Sequence, residues 1–278
     1  MRVTCLAIDM REGFQANARW YLADAALAIT LAASFALAAR AKGFDASLVP
    51  CNFGNLMANA LAGMAAFLPS PQEPFAFPAS WAVTMLLLAY MTLGYPYRDL
   101  TGFGQKVLIS SGRRLGWWLS KCAWVFMSVI AFWVAFIGAT ALTALVLGGN
   151  LTLSVSPDIQ RVLRWNVLVR FDEGSFAAFL LCVPIGTVAI CMAQLCLSLF
   201  IRPSLSYLAT FAGLFLAAFY YHIPLLLGNY LMALRTPGVV GSGFPPLAGL
   251  ALSLVIIGTS IGMGAWRFSR MDILEKEQ

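Results

Sequence analysis

The chain of 278 residues is 60% hydrophobic and 11% charged, where a soluble domain carries roughly 45–50% apolar and about 25% charged residues. A fold of this size cannot hide that excess and still present a polar skin, so composition excludes a soluble protein and predicts an all-α integral membrane protein. The net charge of +6 comes without the basic, aromatic-interleaved stretch of a single-strand nucleic-acid binder, and reads instead as membrane topology with no nucleic-acid partner.

Residues 1–19 place Leu6, Met10, Phe14 and Ala18 in one helical row, with Asp9, Arg11, Glu12 and Gln15 on the other sides. That pattern predicts an amphipathic helix lying on the inner leaflet. Residues 20–266 then read as a domain of six transmembrane helices. The first runs from Trp20 to Ala39 and is interrupted by Asp24; the acidic residues before and within it disfavour a cleaved signal peptide, so the span is retained. The apolar stretch Asn52 to Leu68, with its Asn and Gly content and flanking prolines, reads as an interfacial or re-entrant piece. The second span covers Ser80 to Gly94, extended by Tyr95 and Tyr97, and the third Cys122 to Leu147. The fourth, fifth and sixth run Phe176 to Phe200, Leu205 to Leu227 and Leu247 to Trp266, before a cytoplasmic tail over 267–278.

Six spans put both termini on one side. Under a cytoplasmic N-terminus the inner segments hold Arg2, Arg11, Arg19, Arg98, Lys106, Arg113, Arg114, Lys121, Arg202, Arg267, Arg270 and Lys276. The outer ones hold only Arg40, Lys42, Arg161, Arg164, Arg170 and Arg235. The asymmetry favours both termini in the cytoplasm.

Little in the chain supports catalysis. The six cysteines form no CxxC pair and His222 is the only histidine, so a metal site is not expected. No GxxxxGK[ST] phrase is present to cradle nucleotide phosphates, and no HExxH. The chain therefore reads as neither an enzyme nor a cofactor carrier. His222 sits among Tyr220, Tyr221 and Pro224 as an interfacial histidine would, and Asp24 lies one turn into the first span, near enough to the headgroups to be hydrated or paired with Arg19. Because intramembrane ionisable groups are costly and rarely idle, Asp24 and His222 are also candidates for a substrate pathway. Gly258 and Gly262 give a GxxxG spacing that predicts close helix packing in the sixth span.

The segment 95–121 is the densest polar stretch in an otherwise apolar chain. Asp99 is placed to cap a short helix starting near Leu100 or Thr101, which would present Val107, Leu108 and Ile109 and end at Ser110, Ser111 and Gly112. Arg113 and Arg114 fall at headgroup level, Trp117 and Trp118 read as interface anchors, and Lys121 as a snorkelling lysine. A short apolar helix held beyond the membrane surface reads as a docking element.

With these features in place the chain resembles the ABC-2 type permeases, the membrane subunits of bacterial ABC exporters. The phrases Tyr97-Arg98-Asp99-Leu100, Ser111-Gly112-Arg113-Arg114, Trp117-Trp118-Leu119-Ser120-Lys121 and Phe268-Ser269-Arg270-Met271-Asp272-Ile273-Leu274 are similar to those of small permeases found with lantibiotic or bacteriocin transport systems. The resemblance implies that 95–121 is a coupling loop, with Arg98, Asp99, Val107, Leu108, Ile109, Arg113 and Arg114 at the contact with a separate ATP-binding subunit. ATP and Mg would be bound by that partner and none by this chain. It further implies a second permease copy or homologue, a place in the bacterial plasma membrane, and a stretch from His222 to Pro246 that dips back before the last span. Two other readings remain open: an ion-coupled secondary transporter, for which no internal repeat is evident, and a non-transporting immunity or sensor protein.

Overall fold

The structure, a computed structural model, describes residues 2–44, 49–67, 75, 77–100, 108, 114–163, 165 and 171–271. Among these residues every regular element is helical. In chain order they are α1 (Arg2–Ala41), α2 (Phe53–Leu61), α3 (Ala79–Leu100), α4 (Arg114–Val146), α5 (Ile159–Leu163), α6 (Glu173–Leu197), α7 (Pro203–Phe219) and α8 (Pro246–Arg270), with two 3₁₀ turns, Leu227–Leu231 and Ala233–Arg235, between α7 and α8.

Local chemistry explains where these helices start and stop. Asn52 and Asp172 cap α2 and α6, their side-chain oxygens each accepting from a backbone N–H at 3.1 Å. Pro203 and Pro246 open α7 and α8, where a missing N–H costs nothing. α4 ends because Gly148 turns left-handed, at φ 78°. Its N–H then donates to Leu145 and that of Gly149 to Ala144, closing the last turn.

Four helices, α1, α4, α6 and α8, are long and apolar enough to cross a membrane. They are consistent with a multi-pass membrane protein. α3 has 22 residues, ending in the charged pair Arg98 and Asp99, and α7 has 17. The expected fifth span, Leu205 to Leu227, is helical only as far as Phe219. Large apolar side chains such as Leu22, Val134, Leu181 and Leu254 point outward, as a lipid-facing surface requires.

Two extensive helix pairs organise the bundle, α1 with α4 and α6 with α8. Their registers show both pairs to be parallel. Asp9 meets Lys121 and Tyr21 meets Ser128 along the first, while Gly186 meets Ser253 and Phe200 meets Arg267 along the second.

α1 differs from expectation in two ways. It is one uninterrupted helix of 40 residues, about 60 Å long, so residues 2–19 run into the helix of the first expected span without a break. Its buried face also runs through Asp9, Gly13, Asn17, Asp24, Ala28, Ala32 and Phe35. Leu6 and Ala18, expected on the seated face, are exposed, and Met10 and Phe14 are half-buried. The polar side turns inward because its partners lie on α3 and α4, while apolar residues lose nothing against lipid.

α2 is covered by α1, α3 and α4, with most of its residues buried. The segment after α7 folds into the two 3₁₀ turns, the first of which, Leu227–Leu231, packs on α6, α7 and α8. Arg235 crosslinks this end. Fully buried, it donates to the carbonyls of Met64 at 2.8 Å, Ala217 at 2.5 Å and Ala218 at 2.7 Å, and to Asn229 Oδ1. Burial lowers its guanidinium to about 10. Gly258 and Gly262 pack against nothing among the described residues of this chain: a Cβ built on either meets open space. Gly264 does, since a Cβ there would overlap the Trp118 ring.

Candidate functional site

The polar residues of the bundle converge where α1 begins, α3 ends and α4 begins. Asp9 on α1 accepts from the Tyr95 hydroxyl at 2.9 Å, from Lys121 Nζ at 2.5 Å and from the Ser120 hydroxyl. Lys121 also pairs with Asp99, at 2.6 Å. Asp99 in turn accepts from Trp117 Nε1 at 3.1 Å. The ammonium sits 4.8 Å from the Tyr95 ring centre and 4.9 Å from that of Trp117. One cation is thus bracketed by two carboxylates and two aromatic faces. The surplus negative charge is spread over three neutral donors, the hydroxyls of Tyr95 and Ser120 and the Trp117 indole.

The cluster continues into the end of α8. Trp117 stacks on Phe268, with ring centres 4.8 Å apart. Arg114 donates to the carbonyls of Ser269 at 3.0 Å and Met271 at 2.9 Å, and Trp118 Nε1 donates to Ile261 at 3.0 Å. Four helices are therefore tied together beside the connection between α3 and α4.

This placement corrects several expectations. Lys121 does not snorkel; it is 0% exposed, because Asp9 and Asp99 offer it more than headgroup water would. Trp117 and Trp118 are buried against α8 rather than set at a lipid interface. Asp99 lies inside the last turn of α3, so it stands within a helix rather than ahead of one, and its carboxylate goes to Lys121 and Trp117. Leu108 is 2% exposed and belongs to the core, not to an outward face. Val107, Ile109 and Arg113 lie outside the described residues. Arg98 reaches back to the Gly94 carbonyl at 3.4 Å.

Neither substrate-pathway candidate joins this cluster. His222 is exposed and meets the Tyr221 ring edge-on at 5.2 Å. Asp24 is 0% exposed, and neither carboxylate oxygen has a hydrogen-bond partner. It is paired with neither Arg19 nor headgroup water. Among the described residues no group of three His, Cys, Asp or Glu side chains comes together as a metal site.

The sequence alone does not single out Asp9, Tyr95 and Ser120 as members of a site. The available signal is Asp9, Gly13 and Asn17 recurring every four residues, a small-and-polar stripe that a membrane helix turns toward its neighbours. No protein-family model, curated protein or solved structure matches the chain.

Proposed function

We propose that the chain is the permease subunit of an ATP-driven exporter in a bacterial plasma membrane. In this reading α1, α3, α4, α6, α7 and α8 are its six spans, and both termini face the cytoplasm. The connection over 101–113 is the element that docks into a separate ATP-binding subunit, which holds the ATP and Mg. A second permease copy or homologue completes the assembly, and the cargo is a peptide or another amphipathic compound.

The observation that carries the reading is the Lys121 bridge. Asp99 and Lys121 sit on the two stems of the connection, and Lys121 binds them to each other and to Asp9 of α1. Trp117 and Arg114 extend the tie to α8. A force applied to the connection would thus reach four helices as one body, which is what rigid-body switching between inward- and outward-facing states needs.

The test is purification from native membranes in mild detergent, looking for an ATP-binding chain and for ATP hydrolysis. The paired substitution V107D/I109D is expected to lose the partner while keeping the elution profile and melting temperature of the native chain. Leu108 is left intact because it belongs to the core. An intact protein that never associates with an ATPase refutes the reading.

A further inference from the structure

Deeper along the α1–α4 seam lies a second polar group that the charge cluster does not use. Asp24 of α1 is 0% exposed and both its carboxylate oxygens lack hydrogen-bond partners. Tyr21, one turn earlier, lies against Ser128 of α4, yet neither hydroxyl completes a hydrogen bond. Trp124 Nε1, one turn before Ser128, is also buried without a partner. Unsatisfied buried polar atoms are rare in folded proteins, and several at one helix contact mark a ligand position or a reserve of strain.

The surroundings narrow the occupant. No charged side chain among the described residues pairs with Asp24. Of the elements packed on α1, α2 contributes no ionisable side chain. From α3, Tyr90 meets Trp20 and Tyr95 is engaged at Asp9. From α4, Lys121 is engaged at Asp9 and Asp99, and Cys122 lies beside Cys196. From α5, Arg161 pairs with Asp158. Among the described residues Tyr21 is thus the one titratable neighbour of Asp24. An ionised carboxylate with no countercharge is not sustained in a low-dielectric interior. The ligand must therefore be a small cation. The groups on hand offer two carboxylate oxygens and two hydroxyls in a contact closed to solvent, which suits the smallest.

We propose that Asp24, with Tyr21 and Ser128, is an exchangeable proton-binding site in the membrane-embedded part of the bundle. Protonation leaves Asp24 neutral, so it can stay buried with neither a countercharge nor a hydrogen-bond partner. Release passes the proton from a carboxyl oxygen to entering water and leaves a hydrated carboxylate, which requires α1 and α4 to part locally; uptake reverses this. The site goes beyond the exporter reading and does not depend on it, since a proton could serve an ATP-driven or an ion-coupled carrier alike.

Infrared spectroscopy of the full chain in lipid nanodiscs tests it without any ATPase. The expected result is a protonated-carboxyl C=O band that shifts in D₂O, is lost in Asp24→Asn and is displaced in Tyr21→Phe. Absence of any band lost in Asp24→Asn means an ionised Asp24 and overturns the proposal. A band that stays fixed in D₂O marks a sealed structural acid and overturns it equally. Loss of the native band on adding Na⁺ but not K⁺ at constant pH assigns the site to sodium instead. The D₂O and Na⁺ measurements use the native chain, so the proposal stays open to refutation even if a variant fails to fold.

Discussion

Replacing Lys121 by Met removes the one cation between Asp9 and Asp99 while keeping a side chain of similar length. The native ammonium lies 2.5 Å from Asp9 and 2.6 Å from Asp99, and those carboxylate side chains are only 8% and 15% exposed. Asp99 can recover some hydration through its exposed edge and keeps the Trp117 indole, whereas Asp9 keeps two hydroxyl donors but no charge. Deleting one partner of a buried ion pair costs about 3–5 kcal/mol, because the other charge stays behind. Asp9→Asn is milder, since the amide oxygen can still accept from Tyr95, its NH2 can donate to the Ser120 oxygen, and Lys121 is left with Asp99; its loss is about 1–3 kcal/mol. The double variant should cost less than the two single losses summed, because a neutral amide in place of the Asp9 carboxylate no longer needs a cation. Unfolding by SDS titration in mixed micelles, followed by tryptophan fluorescence, measures all three. A Lys121→Met chain within about 0.5 kcal/mol of the native protein, or strictly additive single losses, would show that the cluster is not a coupled charge network.

Three further outcomes follow from individual contacts. Gly264→Leu is expected to destabilise the chain by about 1–3 kcal/mol through its clash with Trp118, while Gly258→Leu and Gly262→Leu, which face open space, stay within about 0.5 kcal/mol in the same titration. Arg235→Met should cost at least about 3 kcal/mol by stranding the carbonyls of Met64, Ala217 and Ala218 together with Asn229, and Arg235→Lys should recover only part, since an ammonium cannot reach all four. Cys51, in a chain whose other cysteines are changed to Ala, should react with a membrane-impermeant maleimide on intact cells if the N-terminus is cytoplasmic. Burial pushes its thiol up and Arg40 only partly offsets this. The thiolate fraction at neutral pH is therefore small, and labelling should speed up about tenfold per pH unit while the thiol remains mostly protonated. Labelling seen only after the cells are opened would reverse the orientation.

The positions of the helices are legible in the sequence because long apolar runs bounded by Pro, Gly and charge leave few alternatives. Their faces are not. Along residues 1–19 the row Leu6, Met10, Phe14 and Ala18 reads as the seated side under a rule that holds for a helix lying on a surface. In a helix that continues into a bundle the hydrophobic effect no longer separates lipid from protein, so hydrogen bonding and close packing choose the inward side, and that side is Asp9, Gly13 and Asn17. Gly13 illustrates the packing half of the argument, since a Cβ there would overlap the Trp124 indole. Lys121 escapes a local reading for a related reason. Its partner Asp9 is 112 residues away, and nothing in the local phrase Trp117-Trp118-Leu119-Ser120-Lys121 announces it. The same blindness favours Gly258 and Gly262 over Gly264, because spacing alone does not say where a large side chain waits.

Following the buried face of α1 inward from its start, the polar groups become progressively less satisfied. Asp9 has three donors, Asn17 makes one bond, to the Met91 carbonyl at 3.1 Å, and Asp24 has none. Parting α1 and α4 at Asp24 therefore breaks no side-chain hydrogen bond there and lets water reach a carboxyl group that lacks partners. Parting them at Asp9 strands its buried carboxylate, while Lys121 keeps only Asp99. The gradient sets the direction of any opening: the pair yields first at depth and pivots on the Lys121 cluster. In such a bundle the charge cluster holds the fulcrum, and the site that changes state lies farther along the lever.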